Sequence, residues 1–303
     1  MKNFYATLFL LLIYLVISVE SRGQVVTITN RTNTTPNLAA TYTSLTNAIT
    51  ALNAITAISG PVTITLNPGN NQTAPAGGYS INFTTIVNNT FPITIAGSNN
   101  TITTPNPQAI GSITDAIFKI IGADNIIVQD FVMQENALNV TTGGVTPTNA
   151  TTGNNMTEWG VAMFYKSATD GAQNNSIQNN VITLNKTYAN TFGIYSNTNH
   201  TAAAPTVGAA ITNISGANSG NKFYGNTVSN INMGICIVGS QNINFMDSGN
   251  DVGGSSSATG NTINNWGGLA QISNYFSSSG SCYGIHLDNQ KGDNVSYNTI
   301  TSA

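Results

Sequence analysis

The sequence predicts an all-β solenoid of stacked coils preceded by a short N-terminal helix. Three observations carry the prediction. Short runs alternate apolar and hydroxyl residues with period two. A local motif centred on Asn or Asp recurs along the chain. Polarity is supplied by amides and hydroxyls: Asn alone contributes 45 of 303 residues, whereas Asp, Glu, Lys and Arg together make 6%. An ordinary soluble domain carries about 25% charged residues. Eight Lys and Arg at net charge −3 provide no basic face for phosphates, so nucleic-acid partners are excluded. Charge-driven disorder is excluded too, because the chain is 40% hydrophobic and its net charge is small.

The chain opens with a targeting segment. Lys2 forms a short positive region, Phe4 to Val19 is apolar, and small residues follow at Ser21 and Gly23. Such a pattern is a secretory signal peptide, here residues 1–23. The apolar run is shorter than the roughly 20 residues of a membrane span. No transmembrane span is therefore expected after cleavage, and the protein is expected to be secreted or on the outer cell surface.

A helix comes next. Leu45, Ala48, Ile49, Leu52 and Ile55 fall at helical spacing, with Ser44 or Thr43 placed as N-cap, which predicts a helix over 42–57. Residues 24–60 are read as an N-terminal strand and cap helix covering an open sheet edge. Beyond it the runs Val62–Leu66 and Phe91–Ile95 alternate as strands, bounded by Asn, Gly, Ser and Thr turns.

The repeat has two parts. The first is an apolar residue, then Asn or Asp three positions on, then Val or Ile. It places Asp130, Asn180, Asn226, Asn261 and Asn298 at equivalent corners, in steps of 50, 46, 35 and 37 residues. The second is a Gly-led strand, at Gly160, Gly193, Gly234 and Gly284. A fixed motif at unequal steps means loops of variable length on a constant scaffold. Asn suits a stacked corner because it tolerates left-handed backbone and its amide hydrogen-bonds along the stack. Stacked like charges would repel. The final copy lies close to Ala303, so the coils, assigned to 61–303, are expected to continue in a longer protein.

The Asn-x-[Ile/Val] corner and the Gly-Ile strand resemble the right-handed parallel β-helix, pectin-lyase-like superfamily of secreted bacterial proteins. The resemblance covers 125–303 closely and 25–124 more loosely. It implies a fold that hosts lyases, hydrolases, adhesins and inert stalks. The lyases hold calcium on paired carboxylates beside a basic residue, and the glycosidases cluster two or three Asp. This chain has no Asp-Asp pair, Gly-His-Gly or Arg-x-Lys.

Candidate site residues are few. His286 and Asp288 alternate onto one strand face with Lys291 nearby, which makes them the catalytic candidates. The same pattern fits a solvated strand face, and His200 reads as surface. Asp247 and Asp251 lie in a loop with oxygen donors and glycines that loosely resembles a calcium loop, so Ca²⁺ is the one cofactor considered. Trp266, Tyr275 and Phe276 sit in a long insertion and are the candidate glycan contacts. The strand aromatics Trp159, Phe164, Tyr165, Tyr188, Phe192 and Tyr195 read as packing. Cys236 and Cys282 are offset by four strand positions, about 13 Å at about 3.3 Å per residue, so no disulfide is expected. Cys236 is expected to point outward. The leading expectation is a non-catalytic stalk or adhesion module that contacts glycans or other cells. The alternative is a polysaccharide lyase or glycoside hydrolase.

Overall fold

The computed structural model describes residues 24–86, 88–109, 112–142, 154–203, 211–268 and 282–301. Residues 1–23, read from the sequence as a signal peptide, and the candidate contacts Tyr275 and Phe276 lie outside the described residues. The described chain is all-β apart from one α-helix and two short 3-10 turns. Its strands form sheets of nine, six and seven strands and two small pairs.

The chain visits the three large sheets in rotation. Ile126–Gln129 belongs to the first sheet, Val132–Gln134 to the third and Trp159–Phe164 to the second. Ser176–Gln178, Val181–Thr183 and Phe192–Asn197 repeat that round. Neighbouring rounds pair in parallel, Val128 with Ile177, Met133 with Ile182 and Val161 with Ile194. The period-two pattern sets which side chains turn inward. Ile64, Ile95, Val128, Ile177, Phe223 and Val252 form one register column, and all are at most 1% exposed. Ile102, Met133, Ile182, Val228 and Ile263 form another, all fully buried.

The helix runs Leu45–Asn53, shorter than the expected 42–57. Ser44 Oγ accepts the Asn47 N–H at 3.1 Å, and Leu45, Ala48, Ile49 and Leu52 are buried. The helix packs on Tyr79–Ile81, the terminal strand of the second sheet. Asn53 then satisfies that edge: its Nδ2 donates to Ser80 O at 2.7 Å and its Oδ1 accepts the Asn82 N–H at 2.8 Å. Unpaired edge groups are thereby covered.

Two columns of amides join successive rounds. In one, Asn180 Oδ1 accepts the Phe131 N–H, Asn226 Oδ1 the Asn180 N–H, Asn261 Oδ1 the Asn226 N–H and Asn298 Oδ1 the Asn261 N–H, at 3.0–3.1 Å. Each Nδ2 donates to a backbone carbonyl of a neighbouring round, as Asn226 does to Ile177 O at 2.8 Å. Asp130 is not a member of this column, contrary to expectation. The register pairs Met133, not Val132, with Ile182, which moves the corner by one residue. Phe131 fills the place and stays 1% exposed against Phe118. Asp130 instead lies in the left-handed region (φ 59°), as do Asn99, Asn179 and Gly225 in their rounds.

The second column lies at the corner before the first sheet. Ile126, Asn175, Asn221 and Asn250 donate their N–H groups to Oδ1 of Asn175, Asn221, Asn250 and Asp293, at 2.8–3.0 Å. The motif search did not reach Asn221 and Asn250, because three positions before them stand Asn218 and Asp247 rather than an apolar residue, and Phe223 replaces Val or Ile.

The second sheet departs from simple alternation. Every residue of Phe192–Asn197 and Met233–Val238 is buried. Its outer face carries a second apolar layer containing Trp159, Phe164, Tyr195 and Cys236. Cys236 does face away from the main core, but it is fully buried there rather than exposed. Cys236 and Cys282 form no disulfide. His200, read as surface from the sequence, is 1% exposed. Its Nε2 lies 2.6 Å from Tyr195 OH.

Candidate functional site

The outer face of the first sheet carries a patterned polar surface. Alternate residues of Ile126–Gln129, Ser176–Gln178 and Lys222–Tyr224 point away from the core. Ile127, Ser176, Gln178, Lys222 and Tyr224 line a cleft of about 260 Å³ together with Pro92, Asn125 and Asn174. Asn125 and Asn174 project from left-handed corners (φ 55° and 56°), a conformation Asn adopts more readily than most residues. The stacked strands hold the polar groups in a row. Ser176 Oγ donates to Gln178 Oε1 at 2.8 Å, and Gln178 Nε2 donates to Gln129 Oε1 at 2.9 Å.

Tyr224 is fixed at one end of the cleft. Its hydroxyl donates to Asp251 Oδ2 at 2.7 Å, and Asp251 Oδ1 accepts from Gly254 N and Asn294 Nδ2 at 2.9 and 2.8 Å. Burial, and then the bond to the Asp251 carboxylate, push the Tyr224 phenol up to about 12. The ring therefore stays neutral. Lys222 is exposed beside it. Amides, a hydroxyl, one amine and one aromatic ring can bind polyhydroxylated molecules without reacting with them. A second hollow, about 310 Å³ between Thr56 and Phe91, has no charged residue in its lining.

The residues singled out from the sequence are scattered. His286 and Asp288 are half-buried on Ile285–Asp288, aligned with Cys236 and Val238. Burial lowers the His286 pKa, and Asp288 partly offsets this. The Tyr283 ring lies 4.6 Å from the imidazole. Lys291 lies past a left-handed turn at Asn289 and pairs through its backbone with Ser248. Asp247 and Asp251 do not make a joint calcium loop. Asp247 is fully buried and receives Asn218 N and Thr198 Oγ1 at 3.1 Å, whereas Asp251 is tied to Tyr224 on the outer face. Trp266 ends the strand Thr262–Trp266, pairs with Ile231 and packs on the main core, so it is a packing residue rather than a loop contact. Among the described residues no group of three or more His, Cys, Asp or Glu could hold a metal ion.

A charged network missed by the motif search surrounds the start of the second sheet. Glu158 is fully buried. It accepts Tyr188 OH at 2.6 Å, Asn154 Nδ2 at 2.9 Å and the Asp115 N–H at 2.8 Å. Burial, then the nearby Asp115, raise its pKa well above the usual range. Asp115 is 2% exposed, and burial pushes it up to about 6, against the pull of Ser112 and Lys119. Burial lowers the Lys119 pKa, opposed by Asp115 and Glu158. Glu135 accepts Thr104 Oγ1, Asn139 Nδ2 and the Thr157 N–H at 2.5–2.8 Å. The two innermost carboxyls are sealed from solvent, and the hydrogen bonds of Glu135 and Glu158 clamp loops onto the sheet. Nothing in the local sequence around these acids distinguishes them from turn residues.

Among the described residues no helix is long and apolar enough to cross a membrane. Comparison of the chain with protein-family models, with curated proteins and with solved structures gives no match.

Proposed function

We propose that the three sheets are the faces of a right-handed parallel β-helix of the pectin-lyase-like kind. In this reading the protein is a secreted or cell-surface stalk that contacts glycans without transforming them. The observation that carries the reading is the cleft on the first sheet. A tyrosine ring held by Asp251, one amine and a row of amides and hydroxyls match the apolar faces and hydroxyl edges of sugars. Rotation through three sheets, with parallel pairing between rounds, supports the β-helix.

The test is retention of the purified protein in gels containing neutral or acidic polysaccharide. Wild type is expected to be retarded, and Tyr224→Ala and Lys222→Ala to migrate freely with unchanged folding. Equal retardation of all three would sink the reading. A lyase or hydrolase is the competing function. Its carboxyls must reach the scissile bond, and the burial of Asp115 and Glu158 weighs against that. Unsaturated products or new reducing ends in the same incubations would favour it.

A further inference from the structure

Two acids occupy places that the rest of the molecule gives to asparagine. In the second amide column, Asn221 and Asn250 each use both halves of the side chain. Their Oδ1 atoms accept an N–H from the preceding round, and their Nδ2 atoms donate to Ala172 O and Asn218 O at 3.0 and 3.1 Å. Asp293 continues the column. Its Oδ1 accepts the Asn250 N–H at 3.0 Å, but its Oδ2 is buried with no hydrogen-bond partner. In Asn250 the corresponding atom is the Nδ2 that donates to Asn218 O.

Asp247 repeats the situation in the adjoining column. Asn218 Oδ1 accepts the Ala172 N–H, and Asn218 Nδ2 donates to Met163 O and Ser196 Oγ. Asp247 Oδ1 accepts the Asn218 N–H, yet its Oδ2 is likewise buried and unpartnered. A carboxylate oxygen in an amide-nitrogen slot supplies an acceptor where the columns otherwise supply a donor. Only a protonated carboxyl restores the donor.

We propose that Asp247 and Asp293 are held as neutral carboxylic acids in asparagine slots, which makes 247–268 and 282–301 acid-stabilised segments that loosen as pH rises. The donors around the pair favour the charged forms, but burial outweighs them. Asn218, Thr198, Gln290 and Asp293 surround Asp247, and the N–H groups of Asn250 and Gly249 face Asp293. Lys291, on the strand paired with Asp247–Ser248, is exposed. His200, two residues after Thr198, is kept neutral by burial. Burial and the neighbouring acid raise Asp247 well above the usual range, and burial lifts Asp293 to about 6.

The direction follows from linkage. An acid whose folded pKa is raised contributes fully below its unfolded value near 4, and the contribution is lost as pH rises through the folded value. The test compares the full chain with Asp247→Asn/Asp293→Asn by thermal unfolding between about pH 4 and pH 8. Taking the difference removes the opposite pH dependence of His200. The double variant is expected to match wild type at the acid end and to melt higher at the alkaline end. At the alkaline end, amide exchange within 247–268 and 282–301 should be about tenfold faster in wild type than in the variant at the same pH, allowing for partial solvent screening at Asp293. Asp130→Asn, in a corner that already takes Asn, should track wild type throughout. A melting gap independent of pH would overturn the proposal. So would calcium at the alkaline end stabilising wild type as much as the two substitutions do, because a cation rather than a proton would then hold the pair. If the variant does not fold, carboxyl-carbon NMR of wild type decides: titration of both acids near 4 overturns the proposal, and titration above about 5.5 supports it.

Discussion

Asn226 Oδ1 accepts the backbone N–H of Asn180 at 3.1 Å across 46 residues of chain. The same amide sends Nδ2 to Ile177 O at 2.8 Å and to Asn261 Oδ1 at 3.0 Å. One side chain thus satisfies groups in two neighbouring rounds. Asn226→Ala leaves the buried Asn180 N–H without its Oδ1 acceptor and removes one donor from the Ile177 carbonyl. The expected loss is about 1–3 kcal/mol, read from urea unfolding. Asn226→Asp is expected to lose less at acid pH than at neutral pH, because only its protonated form can donate.

Asp130 gives the contrasting case. Its left-handed backbone (φ 59°) matters more than its charge. Asp130→Asn should change stability by less than about 0.5 kcal/mol. Asp130→Val should cost about 1–2 kcal/mol, because a β-branched side chain is strained there. Similar melting temperatures for the two variants would contradict this.

The Gly-led strands are tight rather than flexible. A Cβ on Gly160 would lie 2.5 Å from both Gly193 O and Ile182 Cγ2, and one on Gly193 would collide with Val228. Gly160→Ala and Gly193→Ala are each expected to cost about 1–3 kcal/mol through overpacking, measured by denaturant midpoint at constant slope.

His200 should set an acid limb of stability. Burial pushes its pKa down to about 4, against the bond to Thr201 O. A base whose folded pKa is depressed stabilises fully above its unfolded value near 6.5, and that stability is lost as pH falls toward about 4. His200→Phe should flatten this limb while losing the bond to Tyr195. A limb of unchanged steepness would count against the assignment.

The thiols offer a direct check on register. Burial drives the Cys236 thiol well above its ordinary pKa, so a thiol reagent should leave it unmodified in the native protein. In denaturant without reductant both Cys236 and Cys282 should react. A count of zero would reveal a disulfide and a register different from Cys236 opposite His286.

Period-two alternation made the strands legible in the sequence, and the Gly-led segments marked their alignment. Gly160, Gly193, Gly234 and Gly284 do stand at equivalent places in the second sheet. Other features were hidden for physical reasons. Asp130 entered the motif because Ile127 and Val132 imitate the spacing, although Val128 and Met133 are the inward residues. Cys236 and Tyr195 alternate outward as any strand residue does. Their burial depends on loops that fold back over the sheet, which no local pattern encodes. The cleft was illegible too. Asn125, Gln178 and Tyr224 are separated by 46 residues or more in the chain and meet only through register.

The amide columns also constrain how the chain can acquire its structure. Their bonds span 29 to 52 residues, and each reaches only the adjacent round. A nucleus must therefore close a loop of that length before gaining any column bond, which slows initiation. Once two rounds have formed, each further round adds against an existing template, so propagation is downhill and directional. Unfolding should then run inward from the ends, with cooperativity extending over a few rounds rather than over the whole molecule.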